Sequence, residues 1–239
     1  MHRILICCVV MLACGAGVWP AAAWGQGYPG GGGMGGRPGG MGTGGSIDPG
    51  GDQPPAAPTE KPDKAATKAY NAGMKSLNKA REYEDAAAKA TDAEKKGAAL
   101  DKAGDAYGKA LDQFTEALRN KGDMADAWNN VGYIHLRLGA YNECIDDYNH
   151  ALTLKPDLME AVAHRAEALM AVDRLDDAKA SYMDLFSHAR PLADQLMVSM
   201  QKWLESHRAA PNGMRPADID AFGKWLQERD GIAKQTAST

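Results

Sequence analysis

Disulfide capacity is nearly absent from this sequence. Four cysteines occur in 239 residues, and three of them, Cys7, Cys8 and Cys14, crowd the N-terminal end. Cys144 is the remaining one. A single thiol closes no intramolecular bridge, so the fold around it has to be stable without staples. Positive charge is not in excess either: Lys and Arg number 27 against 31 Asp and Glu, a formal net charge of −4. That balance lacks the basic footprint of a nucleic-acid binder. Runs of β-branched residues are missing beyond Pro62, which argues against strands. The apolar run Ile4–Ala13 is broken by Gly15, Gly17 and Pro20, well short of the roughly 20 residues a membrane span needs.

What the N-terminus does contain is the layout of a secretory signal peptide. Met1-His2-Arg3 is a short positive lead, Ile4–Ala13 an apolar stretch, and Ala21-Ala22-Ala23 a small-residue, cleavage-like site. The expectation is a removable segment over 1–23 and an exported protein, periplasmic or secreted. Met11-Leu12-Ala13-Cys14 resembles a bacterial lipobox, with leucine one place closer to the cysteine than that pattern has it. Lipid anchoring through Cys14 is therefore the alternative. Residues 24–62 are mostly glycine and proline, with almost nothing apolar to bury, and read as a flexible tether. A glycine-rich nucleotide loop is excluded there. No apolar strand precedes it, no helix starts directly after it, and Gly-Lys-Ser/Thr is absent.

Beyond Pro62 the composition is helical, rich in alanine, lysine, glutamate, leucine and methionine. Asp63 is placed to cap a first helix on which Tyr70, Met74 and Leu77 recur at helical spacing. Thr91-Asp92-Ala93-Glu94 is a capping box that restarts the chain. Leu100, Tyr107, Ala110, Leu111, Phe114, Ala117 and Leu118 then share one side of a second helix. The simplest reading is one long antiparallel hairpin, 63–90 against 92–120. Two shorter hairpins result if the chain turns near Gly104.

Self-similarity follows. Tyr107, Tyr141 and Leu175 correspond; so do Ala110, Cys144 and Ala178; Phe114, Tyr148 and Tyr182; and Ala117, Ala151 and Leu185. The period is the roughly 34 residues of a helical-hairpin repeat. From Ala125 to Leu158 the chain carries Trp128, Val131-Gly132, Ala140-Tyr141, Cys144, Tyr148, Ala151-Leu152 and Pro156. With these residues it resembles the tetratricopeptide repeat family. Gly132 and Ala151 are small where two helices cross, the aromatics fill the space around them, and Pro156 ends the second helix. Met159–Leu192 is a second, less regular unit. The unit before Ala125 keeps its second helix and lengthens its first. After Pro191, Leu192, Leu196, Met200, Trp203 and Leu204 line one helix, and Ile219, Phe222, Trp225 and Leu226 another. This pair is expected to cap the stack, unless Trp203 and Trp225 leave an apolar patch for a partner or for self-association.

Candidate chemistry is thin. Cys144 stands where the family places a small buried alanine, and His135 and His150 point elsewhere, so a cysteine nucleophile lacks a converging base. The histidines lack the spacing of a zinc site. Asp146-Asp147 and Asp176-Asp177 read as charges early in the second helix of each repeat, complementing its dipole. No cofactor and no metal are expected.

The resemblance implies that the first helix of each repeat lines a concave groove that grips a peptide. Carried onto this chain, the groove residues are Asn129, Asn130, Tyr133, Arg137, His164 and Glu167, flanked by Asp126, Leu136, Glu160 and Met170. The lysine and arginine clamp for a C-terminal carboxylate is not reproduced. The reading is an all-α protein: signal peptide 1–23, tether 24–62, helical repeats 63–190 with a long N-terminal hairpin, and a C-terminal helical cap 191–239. Its expected work is non-catalytic binding of a protein or peptide partner, with a self-associating envelope protein as the alternative.

Overall fold

In the computed structural model, residues 62–237 are described. The signal-peptide and tether readings, with Cys14, lie outside them. Among the described residues there are eight helices and no strand: α1 (Pro62–Lys89), α2 (Ala93–Asn120), α3 (Ala125–Leu138), α4 (Tyr141–Leu154), α5 (Met159–Ala171), α6 (Leu175–His188), α7 (Arg190–Ala209) and α8 (Pro216–Ala237). The fold is an all-α helical-repeat solenoid of successive antiparallel hairpins. No helix among the described residues is long and apolar enough to cross a membrane.

The first hairpin is single and long. α1 and α2 have 28 residues each, against 14 in each of α3 and α4. The doubling adds about four turns to each arm. Gly104 lies inside α2 and makes no turn. The cap of α2 is Asp92, whose carboxylate accepts the Lys95 backbone N–H at 2.9 Å. Asp63 does not cap α1; it lies in the first turn, where its carbonyl accepts the Thr67 hydroxyl at 2.8 Å.

Where the helices cross, a small residue faces an aromatic ring. A Cβ on Gly73 would come within 2.8 Å of the Phe114 ring, and one on Gly132 within 3.2 Å of Tyr148. Phe114, Tyr148 and Tyr182 hold the same place in three successive units and are all fully or almost fully buried. The positions one turn earlier and later are filled by Ala110, Cys144 and Ala178, and by Ala117, Ala151 and Leu185, all with no exposed surface. The inward registers of the repeat are therefore the core.

The turns repeat as well. After α3, Gly139 adopts φ 76°, and the Ala140 N–H reaches the His135 carbonyl at 2.9 Å. One unit later Asp173 adopts φ 59°, and the Arg174 N–H reaches the Leu169 carbonyl at 2.8 Å. Both are left-handed C-terminal caps, which glycine adopts at no steric cost and aspartate does not.

α7 and α8 continue the stack as a further, irregular hairpin, with α7 packed on α5 and α6. Pro191 opens α7 rather than ending α6. Trp203 is 8% exposed, and its indole N–H donates to the Met170 carbonyl at 3.0 Å. Trp225 meets Tyr182 edge-on, ring centroids 5.5 Å apart. The two tryptophans thus bind α7 and α8 to the preceding repeat, and packing takes up the apolar patch that was the alternative to a cap.

Candidate functional site

The first helices of the hairpins, α1, α3, α5 and α7, touch one another in a ladder. The Asn130 amide donates to the Tyr70 hydroxyl at 3.3 Å and lies 3.5 Å from the Met74 sulfur. One repeat on, His164 meets Tyr133 edge-on, ring centroids 5.7 Å apart. Beyond that, the Ser199 hydroxyl donates to Glu167 at 3.4 Å. Asn130 and His164 hold one register in successive units, and so do Tyr133 and Glu167. The ladder is thus the repeat expressed as side-chain contact.

This placement corrects the expected exposure of the groove residues. Asn130 and Tyr133 are buried, 8% and 7% exposed, because α1 lies over them. The Arg81 guanidinium covers the Tyr133 ring at 4.9 Å. Arg137 is 9% exposed at its side chain, and its Nε–H donates to Glu84 at 3.0 Å. Burial by itself would lower the Arg137 pKa, but Glu84 beside it carries the net shift upward. Leu136 and Met170 are core residues. Asn129 is half-buried, and its side-chain carbonyl oxygen faces inward without a hydrogen-bond partner. Glu167 and His164 are half-buried, and Asp126 and Glu160 remain exposed. Burial lowers the His164 pKa against the opposing pull of Glu167 and Glu160.

Nothing in the sequence marked Glu84 or Arg81 as members of this face. Both sit on the added length of α1, outside the register of the repeat. Tyr70 and Met74 had the right helical spacing, and only their role as the first rung went unread.

The residues with reactive side chains are placed for packing. Cys144 is fully buried, and desolvation, with Asp147 and Glu167 adding to it, pushes its thiol pKa up. Its sulfur is thus held as the thiol, the opposite of what a nucleophile needs. His135 instead pairs with Asp147, Nδ1 to Oδ2 at 2.6 Å across α3 and α4. Asp147 is therefore not a first-turn charge: it is 7% exposed, whereas Asp176 and Asp177 do lie in the first turn of α6. Burial raises the Asp147 pKa, partly offset by His135. His150 is exposed and stacks on Trp128, ring centroids 4.6 Å apart. Among the described residues no group of three or more His, Cys, Asp or Glu is placed to hold a metal ion.

Small-residue crossings, left-handed turns and a recurring first-helix ladder together define a helical-hairpin repeat protein. Residues 125–158 match the family model described as tetratricopeptide repeat. The matched unit, which resembles a tetratricopeptide repeat, is formed by α3 and α4. No curated protein matches the chain. Repeats of this family are in general protein–protein interaction modules.

Proposed function

We propose that this chain is an exported, non-catalytic adaptor that binds a peptide or helix of a partner protein along the face formed by α1, α3, α5 and α7. The observation that carries this reading is the ladder. It joins four helices into one continuous face whose floor is already ordered, so a ligand does not have to immobilise it. The contact residues follow from exposure. Asp126 on α3, Glu160 on α5 and Arg81 on α1 stand exposed, and Asn129 on α3 is half-buried. Asn130, Tyr133 and Arg137 act from beneath, holding α1 against α3.

A photo-crosslinking amino acid at position 129, compared with one at exposed Asn142 on α4, tests the reading in the full chain expressed in cells. Specific crosslinks to one protein from position 129 and none from position 142 are expected. Equal labelling from both positions, or none from position 129, sinks it. Cell fractionation in the same cells tests export, since retention in the cytoplasm contradicts that part alone.

A further inference from the structure

Arg165 breaks the pattern of the repeat. One unit earlier its register holds Val131, which is 4% exposed and part of the core. A guanidinium there is costly, because burial works against the charged form, and its pKa is accordingly lowered. Only one edge of the group is matched, with Nη1 donating to the Asn149 side-chain carbonyl at 2.8 Å. The Nε–H is buried and has no partner.

Beside it is a cleft of ≈ 240 Å³ between α4 and α6, lined by Ile145, Asn149, Leu169, Arg174, Asp177 and Asp184 among others. The two carboxylates attract Arg165 from a distance, but neither hydrogen-bonds to it. Asp177 accepts from the Arg174 Nε–H at 2.8 Å. Asp184 is taken by His188, 2.9 Å from Nδ1. The unmatched donor at this site is therefore Arg165. An arginine offers its donors as a planar fork that fits a carboxylate.

We propose that the cleft between α4 and α6 is a second ligand site, in which Arg165 receives a carboxylate, either of a small molecule or of an acidic side chain on a partner. Ile145 and Leu169 supply the apolar wall against which the carbon stem of such a ligand packs. This site is on the second-helix side of the repeats and is independent of the face proposed above.

The test is the Nε–Hε resonance of Arg165 in the full chain, identified by its loss in Arg165→Lys. It is followed by ¹⁵N NMR during titration with sodium acetate, with an acetylated glutamate-containing peptide, and with sodium chloride as the ionic-strength control. The expected result is a saturable shift with acetate or with the peptide, and none with chloride. Saturation by acetate assigns a free carboxylate; saturation by the peptide alone assigns a partner's side chain. Arg165→Leu, which restores the apolar residue of the register, should raise the thermal midpoint and abolish saturation of the neighbouring Asn149 amide resonance. Arg165→Lys keeps the charge without the fork and should weaken binding at least tenfold. A shift identical with chloride means a hydrated cleft only and overturns the proposal. So does binding that persists unchanged in Arg165→Leu or Arg165→Lys.

Discussion

Arg137 at the end of α3 and Glu84 in α1 form an ion pair that is almost closed to water, with side-chain exposures of 9% and 14%. It ties the first hairpin to the central repeat. Arg137→Ala leaves Glu84 buried without its cation, which typically costs about 3–5 kcal/mol. Urea denaturation should show that loss, and Arg137→Ala with Glu84→Ala should lose less than the two single losses added together. An unchanged midpoint in Arg137→Ala contradicts the structural role and returns Arg137 to the list of ligand contacts.

The helical glycines should respond to alanine with opposite signs. Gly73→Ala puts a Cβ 2.8 Å from the Phe114 ring. Overpacking of that kind costs about 1–3 kcal/mol, more than the gain of about 1 kcal/mol in helix propensity. Around Gly97 nothing lies within 4 Å, so Gly97→Ala should collect that gain intact. Thermal midpoints should fall for the first and rise for the second; a rise in both contradicts the close crossing of α1 and α2.

Asp173 sits at φ 59° where the preceding repeat uses Gly139. For an L-residue the left-handed region costs roughly 1 kcal/mol. Against this, Asp173 has only a 3.9 Å approach to His207, and its own side chain is 45% exposed. Exposed pairs of this kind contribute little. Asp173→Gly is expected to raise the midpoint of thermal unfolding, and Gly139→Asp to lower it. If Asp173→Gly lowers it, the contact with His207 outweighs the backbone term.

His164 makes stability depend on pH. Its folded-state pKa is lowered by burial from the ordinary value of 6.5. The unfolded chain therefore takes up the proton first. Stability is full above about pH 6.5 and declines as pH falls from there through the lowered folded value. Glu160 and Glu167 oppose this shift, while Arg81 and Arg137 reinforce it. His164→Asn copies Asn130, the residue of that register in the previous repeat. The variant should lose less stability than the parent between pH 7.5 and pH 5.5 in urea titrations. Parallel losses in the two proteins mean that another group carries the dependence.

Much of the fold was legible in the sequence because its determinants are local and periodic. Gly132 against Tyr148, and Cys144 in the place of an alanine, are contacts within one hairpin, and their spacing recurs. The long first hairpin was legible too, though not the choice against a turn at Gly104. That choice rests on α1 and α2 packing along their whole length. The candidate site was less legible. Asn129, Asp126 and Glu160 keep access to solvent, but Asn130, Tyr133 and Arg137 do not. Asp147 reads from the sequence as a helix-dipole charge, and only the packing of α4 on α3 makes it the partner of His135.

Residue spacing alone sets the helical class, the repeat and the inward positions, because it fixes each residue's place on its own helix. Tertiary structure decided which residues of the first-helix face stay open. Glu84 reaches Arg137 from 53 positions away, and Tyr70 reaches Asn130 from 60. Both exceed the 31 and 32 positions that part Tyr133 from His164 and Glu167 from Ser199, because α1 and α2 are twice the ordinary length. Only the packing of that lengthened hairpin brings these side chains together and withdraws half of the expected groove from solvent.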